Sequence, residues 1–396
     1  MAILAQFAPE SRDLLCPLLP KTVLNSGSIP RYSWPWFQIR VGIRRAKLLG
    51  IHVTNSSRQK RLTQVVRAAE GHFGNKIRRV TAPGGDGRAS YKLHFDDRTV
   101  FATLRPNFRR THLEAHVLKQ LAPHCDLVPR CLGVVGEVMF QSDVGGRRLN
   151  MEIAARDAGG QADLAAEAVR AIFKVQEASR KTRLHEIMPH LGNNRDWIDN
   201  FAEGVRGLEP YSGGRSGPVD LDAIKAAVAQ PGRQFVKWDC RSGNAAIGRD
   251  DVLRWFDFEY SGLRHGAEDI AWLIGDEAWP VPPEVMLEIV RSEFDPGCGH
   301  ALEPYLNYLS LYLTFHCAQR FKLIVKEAGK RGWLSKRRIR KYDDAGVHPE
   351  FGAQICRVGA YFAARNRLTA PIARDFEAAQ KMFLSIILAT LEEGRV

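Results

Sequence analysis

The sequence predicts an α+β protein in which a small strand-rich lobe precedes a larger helical lobe, and three observations carry that prediction. Strand-like texture is confined to Lys76–Val144, helical periodicity dominates after it, and a short island of strands interrupts the helices at residues 234–258. A length of 396 residues leaves ample chain for both lobes and their cores. With 45% hydrophobic, 26% charged and 9% aromatic residues, the composition is that of an ordinary globular protein. Collagen, wholesale disorder and a membrane bundle are excluded on that ground.

Residues 1–77 read as an N-terminal basic extension. The first 30 are rich in Pro, Ser and Leu without steady periodicity. From Trp34 to Arg79, Arg40, Arg44, Arg45, Lys47, Arg58, Lys60, Arg61 and Arg67 are interleaved with Val41, Ile43, Leu48, Leu49 and Val65. Short amphipathic helices would set the two classes on opposite faces. The formal net charge of +13 belongs here: residues 1–110 hold 20 basic against 6 acidic residues, and the remaining 286 hold 37 against 38. Two readings stand, a solvated basic face packed on the next domain, or a contact of residues 34–79 with an anionic partner or membrane surface. Nucleic acid is not predicted, because no groove-reading motif accompanies the arginines.

Residues 78–144 form the small lobe. Ala89–Phe95 and Arg98–Arg105 are rich in β-branched and aromatic residues, and Asp96-Asp97 between them reads as a tight hairpin turn. A helix follows over Arg110–Leu121, then two strands, Arg130–Val135 and Glu137–Ser142, and the break at Gly145-Gly146. Residues 145–396 form the helical lobe. Asp163–Ser179 places Leu164, Ala168, Ile172 and Val175 on one face, Pro304–Val325 is apolar around most of its circumference, and Phe376–Leu391 is amphipathic. Within this lobe Gln234–Trp238, Ala245–Gly248 and Val252–Phe258 read as strands.

That island carries chemistry. Asp239 closes one strand, Asn244 follows five residues later, and Asp257 closes the next hydrophobic strand. Phosphoryl transfer from a nucleotide needs such a set: a carboxylate to orient the attacking hydroxyl and accept its proton, and hard oxygen ligands for Mg²⁺. Arg241, two residues after Asp239, is placed to neutralise charge on the transferring phosphoryl group. His185-Glu186 with His190 is no zinc helix, since the histidines are spaced i, i+5 with Pro189 between them. Cys240 reads as a small loop filler, with no His near it in the motif to activate it.

The pattern from Asp239 through Asn244 to Asp257-Phe-Glu259 resembles the catalytic and metal-binding loops of the aminoglycoside phosphotransferase and choline kinase superfamily. Their usual form is H-G-D-x-x-x-x-N followed by D-[FW]-[ED]. The resemblance covers about Arg78–Leu273. Pro83-Gly84-Gly85-Asp86-Gly87-Arg88 looks like the loop that covers the nucleotide, Glu114 matches the helix glutamate, and Val138–Gly146 is similar to the interlobe linker that holds adenine. Asp269 matches a buried acid that ties the loop to a helix.

The resemblance implies a bilobal, protein-kinase-like fold with ATP in the cleft and a small-molecule hydroxyl as acceptor. It implies Asp239 as catalytic base, with Asn244 and Asp257 as Mg²⁺ ligands. It also implies nucleotide contacts at Gly84, Gly85, Gly87, Gln141 and Asp143. Arg105, the only basic residue at the end of its strand, would pair with Glu114 and grip the α and β phosphates. Glu259 is either a solvated acid beside the site or a supporting metal ligand. The chain departs from the family in having Lys237-Trp238 for His-Gly, where altered packing rather than lost catalysis is expected. That departure keeps a second reading open, a nucleotide-binding pseudokinase or scaffold without phosphotransfer.

The acceptor is expected to be a sugar, a polyol, a glycoconjugate or an aminoglycoside-like molecule, and the near-neutral helical lobe favours the first three over a polycation. Arg320–Lys341, with ten basic residues and one acid, is either a solvated helix end or a grip on an anionic acceptor. Seven scattered cysteines without a CxxC point to a reducing compartment, and the start lacks a signal-peptide pattern. The tracts Leu309–Phe315 and Phe383–Leu391 fall short of the roughly 18 to 20 residues of a membrane span. A cytoplasmic protein is predicted, with peripheral membrane attachment as the alternative.

Overall fold

The computed structural model describes residues 55–85, 90–105, 107–212, 218–229 and 231–392. Helix α1 (Asn55–Phe73) leads into a five-stranded antiparallel sheet of β1 (Arg79–Thr81), β2 (Ser90–His94), β3 (Thr99–Leu104), β4 (Cys131–Val135) and β5 (Val138–Ser142), in the order β1-β2-β3-β5-β4. Helix α2 (Phe108–Leu121) connects β3 to β4. The β2–β3 hairpin turns at Asp96-Asp97 and is closed by Phe95 N–H donating to the Arg98 carbonyl at 2.9 Å. Alternation along β2 buries Tyr91 and Leu93 on one face, and β3 adds Val100 and Ala102.

That face is covered by α1. Val65 and Ala69 are buried with Tyr91, Leu93, Val100, Ala102 and Phe140, whereas Lys60 and Arg67 are exposed. Residues 55–77, placed in the extension by sequence, therefore supply one layer of the small lobe. Its basic residues masked a short apolar stripe that a sheet can bury. Of the stretch 34–79 expected to meet an anionic surface, residues 34–54 lie outside the described residues. The other face of the sheet meets α2, whose Ala115, Val117, Leu118 and Leu121 join the core of the large lobe with Met139.

Half of the expected linker is strand, since β5 runs to Ser142 and only 143–146 lead to β6 (Arg147–Arg148). Gly145 sits at φ +125, and a Cβ there would collide with the Ile247 carbonyl, so this crossing requires glycine. The large lobe then builds α3 (Ala158–Arg180), a two-stranded ribbon of β7 (Gln234–Val236) with β10 (Gly262–Arg264), and a three-stranded sheet of β6 with β8 (Ala245–Ile247) and β9 (Leu253–Trp255). Behind these ribbons lie α4 (Ala267–Ile274), α5 (Leu302–Arg331), the short α6 (Lys336–Tyr342), α7 (Pro349–Ala363) and α8 (Ala373–Glu392). Helix α5 is buried along most of its length, from Tyr305 to Ala328, as its nearly unbroken apolar circumference predicts. Among the described residues no helix is long and apolar enough to cross a membrane.

Candidate active site

The two ribbons of the large lobe hold out two loops. The first, 237–244, leaves β7 through a backbone that only an imposed conformation explains: Trp238 has φ 50 and Asp239 has φ 81, left-handed values that cost non-glycine residues about 1 kcal/mol or more each. Asp269, at the start of α4, fixes this turn. Its carboxylate accepts from Lys237 N–H at 3.0 Å, from Trp238 N–H at 2.8 Å and from Gln176 Nε2 at 3.0 Å, which makes it the loop-tying acid that the sequence indicated. The Trp238 indole is buried between Trp197 and Trp272, and its Nε1–H donates to Glu268 at 3.0 Å. Lys237 turns its Nζ inward to the Asp239 carbonyl at 2.8 Å. Cys240 is buried as loop filler, and burial pushes its thiol well above the usual range.

Asp239 is held by its neighbours. Arg241 Nε donates to its Oδ1 at 2.9 Å, and Asn244 Nδ2 donates to its Oδ2 at 2.9 Å and to its carbonyl at 3.0 Å. Burial pushes the Asp239 carboxyl up to about 6, against the pull of Arg241 and Lys237. The other guanidinium nitrogens of Arg241 reach Asp343 at 3.3 and 3.1 Å, so all three of its nitrogens rest on carboxylates. Ser242 donates its N–H and hydroxyl to Asp276. A Cβ at Gly243 would strike the Asp343 carboxylate, so glycine admits this contact.

The second loop follows β9. Asp257 has φ 67, and Phe256 N–H donates to the Asn244 carbonyl at 2.9 Å, which lashes the two loops together. Across the cleft, Arg105 at the end of β3 donates to Glu114 at 3.0 Å, Asp257 at 2.6 Å and Glu259 at 3.1 Å. Arg105 thus points inward onto Glu114 from α2, while the other oxygen of Glu114 accepts from Phe258 N–H at 3.0 Å. Glu259 is buried in this cluster rather than solvated. Burial, joined by Asp257 and Glu114, pushes its carboxyl up to about 7 against the pull of Arg105 and Arg110. Burial also raises Glu114.

Thus Asp239, Arg241 and Asn244 share one loop, and Arg105, Glu114 and Asp257 share a second cluster beside it. Asp143 accepts from Gly145 N–H at 3.0 Å and pairs with Lys92 at 2.7 Å. Gln141 is buried on β5 with its Oε1 lacking a hydrogen-bond partner. Gly84 and Gly85 form the turn after β1, and a Cβ at Gly85 would come within 3.6 Å of the Tyr342 ring. Gly87 lies outside the described residues. Sequence reasoning missed Asp343, Asp276, Glu268 and Lys92, which reach the site from distant segments and carry no local motif.

The oxygen donors suit a hard cation. Three carboxylates, Glu114, Asp257 and Glu259, converge on Arg105, and Oε2 of Glu259 is buried without a hydrogen-bond partner. Among the described residues no group of three or more His, Cys, Asp or Glu side chains is disposed to hold a metal unaided. Mg²⁺ needs only one or two protein oxygens when phosphates and water supply the rest.

No protein-family model and no curated protein matches the chain by sequence. Among solved structures it is similar to small-molecule kinases and phosphotransferases. The choline kinase LicA from Streptococcus pneumoniae is 11% identical with a TM-score of 0.43, over 72% of this chain and 97% of that one. The macrolide 2'-phosphotransferase MphH from Brachybacterium faecium is 13% identical with a TM-score of 0.45, over 71% of this chain and 97% of that one. A choline/ethanolamine kinase family protein from Mesorhizobium loti is 15% identical with a TM-score of 0.39, over 76% and 92%.

Proposed function

We propose that the chain is an ATP- and Mg²⁺-dependent O-phosphotransferase acting on a hydroxyl of a small molecule. The observation that carries this reading is Asp239: a buried carboxylate on a left-handed turn, bonded to the Asn five residues on and set beside Asp257. Its raised pKa leaves it ionised at neutral pH yet basic enough to take a proton, as a general base requires.

Asp239 orients the acceptor hydroxyl and accepts its proton as the oxygen attacks the γ-phosphorus, whose bond to the β–γ bridging oxygen breaks to release ADP. Arg241 holds the base from one side and Asn244 from the other. Asn244 and Asp257 would hold the metal, which neutralises charge on the phosphates when bound. Because Arg105 already bonds Asp257, metal and guanidinium would share that carboxylate. Glu114 keeps Arg105 directed at the cleft, where it meets nucleotide phosphates. The unpartnered Gln141 Oε1 suits an amino group of a purine, and Gly84 and Gly85 cover the phosphates.

The test is a screen of hydroxylated acceptors with labelled ATP, run on the wild-type chain and on Asp239→Asn. Transfer is expected to fall about 10²- to 10⁴-fold in the variant, with the fold intact by circular dichroism. Undiminished transfer overturns the assignment.

A further inference from the structure

Helix α6 leaves positive charge uncompensated at the edge of the cleft. Its sequence, Lys336-Arg-Arg-Ile-Arg-Lys-Tyr342, contains five cations and no carboxylate. Lys336 is matched by Glu350 at 2.7 Å. Arg337, Arg338 and Lys341 are exposed, and spacings of three and four residues bring them to one side of the helix. Neither Arg337 nor Arg338 has a carboxylate partner among the described residues, and Lys341 lies over the Tyr342 ring at 5.2 Å.

The position of the helix gives this charge a purpose. At its end Asp343 binds Arg241, the residue that holds Asp239. Within it the Arg340 carbonyl accepts from Asn150 at 2.8 Å, and a Cβ at Gly85 of the small lobe would come within 3.6 Å of the Tyr342 ring. The helix is therefore fastened to the loop that carries Asp239, and its last residue stands near the glycine turn. The carboxylates beneath it are already matched: Asp343 by Arg241, Asp344 by Arg331, Glu277 by Arg320, and Asp276 by the two donors of Ser242. In the small cavity they line, Oδ1 of Asn150 and Nε of Arg340 are buried without hydrogen-bond partners.

Resting on the phosphotransferase reading, we propose that the exposed side of α6 is the acceptor's docking surface and that the acceptor is a phosphate monoester of a sugar or polyol. Two planar guanidinium forks and one ammonium suit a dianionic phosphate, which arginine binds bidentately. An amine-bearing acceptor would meet repulsion there instead.

The experiment is calorimetric titration of the full chain, its nucleotide site filled by Mg²⁺–ADP, with glycerol 3-phosphate and glucose 6-phosphate against glycerol, glucose and choline. The phosphate esters are expected to bind, more weakly as salt is raised. The double variant R337E/R338E is expected to bind them at least tenfold more weakly while its affinity for Mg²⁺–ADP stays within twofold. Absence of saturable binding, preference for the neutral or cationic compounds, or equal binding by the double variant overturns the proposal. So does a parallel loss of ADP affinity, which would assign the surface to the nucleotide. The phosphotransferase reading fails separately, if Asp239→Asn transfers phosphate undiminished, whatever the titrations give.

Discussion

Around Asp239 the large lobe fastens nearly every polar atom, whereas around Asp257 a single guanidinium serves three carboxylates. In the first region Asp269 grips two consecutive backbone N–H groups, Asn244 and Arg241 bracket the base, and Asp343 and Asp276 anchor the rest of the loop. Donors and acceptors are matched, which is what holds the left-handed Trp238 and Asp239 in place. In the second region Glu114, Asp257 and Glu259 share Arg105, with Arg110 3.7 Å from Glu259. Negative charge is in surplus, and Glu259 is pushed up to about 7. The difference fits the proposed roles: a matched loop is preorganised to position a reacting group, and an undercompensated cluster suits a cation.

Arg105 is the sharpest place to break that contrast. Arg105→Met removes the one cation that bonds all three carboxylates, one of them the fully buried Glu114. Stranding buried charges this way costs about 3–5 kcal/mol. Urea unfolding at pH 8 is expected to show that loss, and titration with Mg²⁺–ADP a loss of nucleotide affinity. Arg105→Lys, which keeps the charge but cannot fork to three partners, should fall between. A Met variant as stable as wild type at pH 8 would mean that the surplus is relieved elsewhere.

How far the sequence could be read follows from the same contrast. Asp239, Asn244 and Asp257 lie within one short segment, so spacing alone brings them to notice, and Arg105 stands only nine residues from Glu114. Asp343 reaches Arg241 across 102 residues and Asp276 reaches Ser242 across 34, contacts that exist only once α4, α5 and α6 have packed. No local pattern marks those acids. Arg241 illustrates the cost: its place two residues after Asp239 suggests a group free to meet phosphate, yet the structure sets it between two carboxylates. Helix α1 was hidden for another reason, since the run of cations around it outweighed the stripe of Val65 and Ala69 that docks on the sheet.

Trp238 tests the matched region at its least expected residue. Glycine would relax the φ of 50, a gain of about 1 kcal/mol, but would empty the space between Trp197 and Trp272 and remove a donor from buried Glu268. Truncating a buried tryptophan costs about 3–5 kcal/mol, so Trp238→Gly is expected to be less stable by about 2–4 kcal/mol in urea unfolding. The large lobe has adapted to the indole, and its loss should also let the Asp239 loop move, lowering kcat more than it raises KM. A variant of equal or greater stability would show that the backbone strain outweighs the packing.

The smallest effect is graded with pH. As the proposed base, Asp239 must be ionised to accept a proton, and burial pushes its carboxyl up to about 6. The rate kcat/KM should therefore rise with pH to half its plateau near pH 6 and fall about tenfold per unit below it. Stability runs the other way. A carboxyl whose folded-state pKa is raised binds its proton more tightly when folded, so its contribution is full below the ordinary aspartate range and is lost as pH climbs to about 6. Over the range where the proposed activity rises, this residue withdraws support from the fold, and the hydrogen bonds that Arg241 and Asn244 donate and that Asp269 accepts are what keep the loop in place. An acid limb near pH 4 would place Asp239 in a solvated setting and dissolve the contrast between the two regions.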